Sequence, residues 1–305
     1  MGQPVVELKN VYKRIGKKTL IENLSFSIQS GEVFGFLGPN GAGKTTTIRM
    51  MVGLMKPTQG TILIKGENLL THFERAIQHV GAIVENPELY SFLSGYQNLV
   101  HFSRMSGPPD FGRIQEVTKR VGLDSVIHQR VKTYSLGMRQ RLGVAQALLH
   151  RPSVLILDEP TNGLDPAGIR EFRTLLRELS HIEDVAVLIS SHLLSEIELM
   201  CDRVGIIQKG SLIGIETVTD FVQDLQGTSV RFSVDQLEKA KSLLTSYDVP
   251  FSFQEDTLVL KVERDAIPTW VERFTNEKIK IFAIQPLTKT LEDRFLEVTE
   301  GRSID

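Results

Sequence analysis

The sequence predicts an α/β fold, a largely parallel sheet covered by helices on both faces, followed by a small α+β domain. Three observations carry that expectation. Apolar runs of strand length, Val33-Phe34-Gly35-Phe36-Leu37 and Val154-Leu155-Ile156-Leu157, alternate with helical segments, and strands buried on both faces read as such runs. The first run leads directly into a glycine-rich turn and a helix, through Gly38-Pro39-Asn40-Gly41-Ala42-Gly43-Lys44-Thr45-Thr46. Beyond residues 220–228 the pattern changes to short strands and two helices in the order βαββαβ, the ferredoxin-like arrangement.

Length and composition bound the rest. A chain of 305 residues is long enough for about two domains, each with its own core. With 41% hydrophobic and 24% charged residues the profile is that of a soluble globular protein, which excludes fibrous and disordered classes. A net charge of −2, with basic residues unclustered, argues against nucleic acid or anionic lipid as partner. No apolar run approaches the roughly 18 residues of a membrane-spanning helix. The first residues lack the basic start and apolar stretch of a signal peptide, and Gly2 is followed at position 6 by Val6, which is no myristoylation pattern. Cys201 is the single cysteine, so a reducing cytosol fits and a small buried hydrophobe is expected there.

Taken in order, residues 5–11 and 20–28 alternate as strands and 32–37 reads as a buried strand ending at the glycine-rich turn. A helix follows over 44–54, then a strand over 61–65 after the turn Lys56-Pro57-Thr58-Gln59-Gly60. From about 87 to 150 the pattern is helical. After the strand 154–157, Asp165-Pro166 opens a helix with an aspartate cap and proline in the first turn. Strands are expected at 185–189 and 204–208. In the tail they fall at 229–234, 250–254, 257–262 and 278–285, with helices at 236–246, 267–276 and 288–299.

The glycine-rich turn matches G-x-x-x-x-G-K-[ST] in its strand-loop-helix context. Glycines let the backbone approach an anion, and successive N–H groups with the helix N-terminus then face phosphates. Lys44 supplies a point charge to the outer phosphates and Thr45 a hydroxyl ligand for Mg²⁺. The reading is a site for a nucleoside triphosphate. The run 154–157 ends in Asp158-Glu159, two acids delivered to the crevice at the carboxyl end of a buried strand. Asp158 is expected to hold Mg²⁺, and Glu159 to polarise the attacking water as general base. A third segment, Tyr134-Ser135-Leu136-Gly137-Met138, opens a helix whose N–H groups and Ser135 hydroxyl suit an anion. Taken alone, it is equally the cap of an amphipathic helix.

These three motifs, in this order, resemble the nucleotide-binding subunit of an ATP-binding cassette (ABC) transporter over residues 4–220. The family signature Leu-Ser-Gly-Gly-Gln keeps its serine and second glycine as Ser135 and Gly137; the first, third and fifth positions depart. The resemblance implies an ABC-type P-loop NTPase over 1–220, a mixed sheet core with an antiparallel β subdomain and a helical subdomain near 87–150. Residues 228–305 would be an accessory domain. It implies that Thr161-Asn162-Gly163-Leu164-Asp165 is the loop meeting a second subunit, that His192 contacts the γ-phosphate, and that Tyr12 stacks on adenine. Where the family usually has glutamine, this chain has Glu85, in the loop expected to sense Mg²⁺ and couple to the membrane subunit. The stretch Glu85-Asn86-Pro87-Glu88-Leu89-Tyr90 resembles the branch serving bacitracin and lantibiotic resistance. The partners that the resemblance implies are ATP, Mg²⁺, a second nucleotide-binding subunit in a homodimer, and a separate permease at the inner face of the cell membrane. The alternative is an ABC ATPase acting on ribosomes or DNA without a permease. It fits less well, because this chain has one cassette and no heptad run.

Overall fold

Alternating apolar residues shape the first strands of the computed structural model, which describes residues 4–219, 229–247, 249–254, 257–262 and 264–287. β1 (Val6–Ile15) and β2 (Lys18–Ile28) pair antiparallel, and with β4 (Gln59–Ile64) and β5 (Glu67–Asn68) form a four-stranded sheet in the order β2-β1-β4-β5. A second sheet holds β3 (Val33–Leu37), β6 (Val80–Ile83), β7 (Val154–Asp158), β8 (Ala186–Ser191), β9 (Arg203–Gln208) and β10 (Ser211–Thr217). Its order is β10-β9-β3-β8-β7-β6, and all neighbours run parallel except β10 against β9. Every residue of β3, β7 and β8 is buried, which explains the apolar runs that fill β3 and lead β7 and β8 up to their polar ends at Asp158 and Ser190-Ser191. Phe26 of β2 stacks on Phe34 and Phe36 of β3 at centroid distances of 5.4 and 5.5 Å, joining the two sheets through one core.

The helices start where their caps dictate. α3 (Gly95–Met105) has a capping box from Ser94 and Gln97, and α4 (Phe111–Arg120) is capped by Asp110. α5 (Leu136–Ala147) is capped by Ser135, and α6 (Pro166–His181) by Asp165 with proline in its first turn. α1 (Lys44–Met51) stops short of the expected residue 54 because Gly53 turns left-handed, its N–H reaching Met50 O. Two short helices, α2 (Phe73–Ile77) and α7 (Leu194–Met200), and the strands β5, β6 and β10 were not anticipated.

The chain divides into two compact units, Met1–Val218 and Thr219–Asp305. In the second, β11 (Ser229–Val234), α8 (Leu237–Ser246), β12 (Phe251–Gln254), β13 (Thr257–Lys261), α9 (Ile267–Asn276) and β14 (Ile281–Leu287) follow the expected βαββαβ order. The sheet is antiparallel in the order β12-β13-β11-β14, and Ala240, Leu244, Trp270 and Phe274 of the helices pack on Val230 and Phe232. The helix expected over 288–299 and the linker 220–228 lie outside the described residues.

Register is what positions the site. Leu37 pairs with Ser191 and Asp158 with Ser190, so the carboxyl ends of β3, β8 and β7 finish side by side. The residues that follow them, Gly38, His192 and Glu159, therefore emerge at one crevice.

Candidate active site

The glycine-rich loop, expected to bind phosphate, is built on backbone that side chains would obstruct. A Cβ on Gly38 would lie 2.4 Å from Ile207 O, and Gly43, the cap of α1, has φ of 114°. Ala42 N–H donates to Pro39 O, and Ala42 O accepts from Gly210 N–H, tying the loop to the turn after β9. Lys44 is only 6% exposed; its Nζ donates to Gly38 O at 2.6 Å and lies 3.2 Å from Glu159 Oε1. A buried ammonium needs such partners.

Glu159 is held from both sides. Its backbone has φ of 49°, a left-handed conformation that costs a non-glycine residue on the order of 1 kcal/mol. Its N–H donates to Ser190 Oγ at 2.8 Å, and the Ser190 hydroxyl donates to Asp158 Oδ1 at 2.5 Å. At the far end of the side chain, Oε2 lies 2.7 Å from His192 Nδ1. A carboxylate partner makes Nδ1 the proton-bearing nitrogen of this contact.

The resulting cleft, about 290 Å³, is lined by the loop residues Pro39, Asn40, Gly41 and Gly43–Thr46, and by Glu159, His192, Asn162 and Leu20. Asn162, expected in the loop that meets a second subunit, lines this cleft, and so does Leu20, which the sequence places only on a strand. Asn162 sits three positions beyond Glu159, a proximity legible in the sequence, and its N–H donates to Glu159 O. Leu20 enters from the start of β2, distant in sequence from the other lining residues.

Other expected site residues lie elsewhere. Ser135 and Gly137 line a second cleft of about 320 Å³ with Gly163, Leu164, Asp165 and Glu171, and they do not line the phosphate-loop cleft of their own chain. There Ser135 Oγ accepts from Met138 N–H and Asp165 Oδ1 from Gly168 N–H. Tyr12 is half-buried on β1, outside the lining of either cleft. Glu85 has φ of 70° and spans to α1, where its Oε1 meets Arg49 Nη2 at 2.5 Å; it too is absent from the cleft lining.

The donor set suits a hard cation bound with few protein ligands. Thr45 lines the cleft with its hydroxyl, while Asp158, 3% exposed and accepting the Ser190 hydroxyl at Oδ1, stands behind the lining, and no group of three or more His, Cys, Asp or Glu among the described residues forms a dedicated cage. Mg²⁺ bound alongside phosphates typically takes one or two carboxylates and keeps water.

Comparison with known proteins decides the family. The ABC transporter model matches residues 21–162. The uncharacterized ABC transporter ATP-binding protein YhcH of Bacillus subtilis (strain 168) is 55% identical over 295 residues, spanning 97% of this chain and 96% of the relative. The chain belongs to the ABC transporter ATP-binding family. Members of this family bind and hydrolyse ATP. The bacitracin transport ATP-binding protein BcrA of Bacillus licheniformis is 37% identical over 303 residues, 98% of this chain and 99% of BcrA. Among solved structures, cbiO1 from Clostridium perfringens, described as part of the ABC transporter complex cbiONQ, matches with a TM-score of 0.67 at 25% identity. That match covers 79% of this chain and 95% of cbiO1. This chain shares the ABC ATPase fold with that structure. No helix among the described residues is long and apolar enough to cross a membrane.

Proposed function

We propose that this chain hydrolyses ATP in the phosphate-loop cleft and drives a separate membrane permease that exports an antimicrobial peptide or drug. The observation that carries the hydrolytic reading is the position of Glu159, between Lys44 Nζ at 3.2 Å and His192 Nδ1 at 2.7 Å. Lys44 and the N–H groups of the loop bind and orient the phosphates. Glu159 accepts the proton of the attacking water, and His192 orients Glu159 through Nδ1. Mg²⁺, held by Thr45 and Asp158, would offset phosphate charge when bound.

The separation of the two clefts supports a site completed in trans. Each ATP would lie between the phosphate loop of one copy and Ser135–Gly137 of a second, so that nucleotide state shifts an open-to-closed equilibrium. An apolar surface suits the permease. Tyr90, Phe92, Met105 and Phe111 are all exposed, and Tyr90, a few residues beyond Glu85, meets Phe92 and His101 edge-on and stacks on Phe102. Such a partner would hold the protein at the inner face of the cell membrane. BcrA, by its name a bacitracin transport protein, supports an antimicrobial cargo.

The test is turnover of Mg-ATP by wild type and Glu159→Gln. The variant should keep ATP affinity and lose two to three orders of magnitude in rate, about 3–4 kcal/mol of barrier. Undiminished hydrolysis in Glu159→Gln would remove the general-base assignment.

A further inference from the structure

Behind the cleft lies a carboxylate that the reaction as described does not use. Glu196 stands in the first turn of α7 and is 7% exposed. Its Oε2 accepts the Thr161 hydroxyl at 2.6 Å and the Ser191 hydroxyl at 2.9 Å. The Ser191 oxygen in turn accepts Leu193 N–H at 3.0 Å.

The two hydroxyls belong to the two segments that build the reactive end of the cleft. Thr161 follows Glu159 by two positions, directly precedes Asn162, and caps the turn with its carbonyl on Leu164 N–H. Ser191 is the last residue of β8 and directly precedes His192. A single oxygen atom thus joins the exit of β7 to the exit of β8. On the other side of Glu159, Ser190 makes a second tie between the same strands, through Asp158 Oδ1 and Glu159 N–H. The 2.7 Å approach of His192 to Glu159 lies between these two ties.

We propose that Glu196 is a positioning residue for ATP hydrolysis, fixing the Glu159–Asn162 turn against the His192 turn. The proposal rests on the hydrolytic reading above and assigns Glu196 no contact with nucleotide. Its chemistry is that of an acceptor. Burying a carboxylate carries a desolvation cost that a packed apolar residue would avoid. What the carboxylate supplies instead is direction, because two hydroxyls that converge on one oxygen have a defined spacing. Displacing a catalytic group by about 1 Å through a remote change can cost on the order of a hundredfold in rate.

The experiment compares wild type, Glu196→Ala, Glu196→Gln and a Thr161→Val/Ser191→Ala background with and without Glu196→Ala. Steady-state kcat, affinity for a fluorescent ATP analogue and the thermal midpoint are measured on each. Glu196→Ala should lower kcat roughly ten- to hundredfold while affinity stays within about threefold. Glu196→Gln keeps an acceptor oxygen and should recover kcat to within about fivefold of wild type. Glu196→Ala should cost less than about threefold in the background that lacks both hydroxyls, because the partners it acts through are already gone. Three results would overturn the proposal. These are a kcat within twofold of an active wild type, equal losses of kcat and affinity, or the full loss repeated in the hydroxyl-free background. If Glu196→Ala does not fold, Thr161→Val alone must show the same loss of kcat at unchanged affinity, or the proposal fails. A wild-type protein with no ATPase activity would sink the hydrolytic reading itself, and this inference with it.

Discussion

His192 meets Glu159 through Nδ1, 2.7 Å from Oε2, while Lys44 approaches the other oxygen of the same carboxylate at 3.2 Å. One acid therefore lies between Lys44 and His192, and on the proposed roles, phosphate charge for the lysine and orientation of the acid for the histidine, their effects should separate on mutation. Lys44→Ala should weaken ATP binding by about tenfold or more. His192→Ala should leave binding within a few fold and lower kcat by roughly ten- to a thousandfold. Nucleotide affinity and single-turnover hydrolysis, measured together, check both. Equal effects of the two variants on affinity would undo the division.

The separation of the Ser135–Gly137 cleft from the phosphate-loop cleft leads to a prediction about assembly. Glu159→Gln should run as a dimer in Mg-ATP and shift toward monomer without nucleotide. Sedimentation across a wide range of protein concentration reads this directly. A monomer under every condition, with wild-type turnover strictly proportional to enzyme, would count against a shared site.

Glu85 bonds to Arg49, on the helix that begins at the phosphate loop, so its charge has a partner without any metal. Both side chains are substantially exposed, and an ion pair of that kind is worth about 1 kcal/mol or less. Glu85→Gln should therefore change basal hydrolysis by less than about tenfold. Glu85→Ala and Arg49→Ala should reduce permease-stimulated turnover and export more than basal activity. Export per ATP hydrolysed in membrane vesicles is the deciding ratio, and its persistence in both variants would leave the pair as a surface contact only.

Acid should destabilise the protein partly through His150. Its Nε2–H donates to Val80 O at 3.0 Å. Burial pushes the imidazole below its ordinary value, with the hydrogen bond to Val80 opposing and the Arg113 charge adding to the fall. The folded protein thus holds this proton less tightly than the unfolded chain, whose histidine titrates near about 6.5. Above that pH neither state is protonated and His150 contributes nothing to pH dependence. Below it the unfolded chain takes up the proton first, so stability falls until the folded imidazole titrates as well. His150→Gln keeps a donor and cannot titrate. Urea midpoints at neutral and mildly acidic pH should differ less for this variant than for wild type, and an unchanged difference would exclude His150 as a source.

Much of the site was legible because its key residues are contiguous. Gly38–Thr46 and Asp158-Glu159 each join a buried strand to its chemistry within a few residues, and local pattern suffices for that. His192 and Ser135 gained their meaning from family order, since a lone histidine or a helix cap is ambiguous. The rest depended on register. Ser190 reaches Asp158, Glu196 reaches Thr161 and Glu85 reaches Arg49 across more than 30 positions, and only the pairing of β7 with β8 or the packing of α1 brings them together. Fold features were lost for simpler reasons. Every residue of β10 is half-buried, so it shows no alternation, while α2 and α7 span five and seven residues, too few to reveal a helical period.

The left-handed backbone at Glu159 sets hardiness against usefulness. Glycine is the residue that such a turn favours, and it carries no carboxylate; aspartate tolerates the turn better than glutamate but is a methylene shorter. Relief of strain by Glu159→Gly is offset in part by the greater freedom glycine gives the unfolded chain. A directed-evolution campaign scored only on survival of heat would still tend to collect glycine at this position, and the robust proteins it returned would bind nucleotide and do nothing with it.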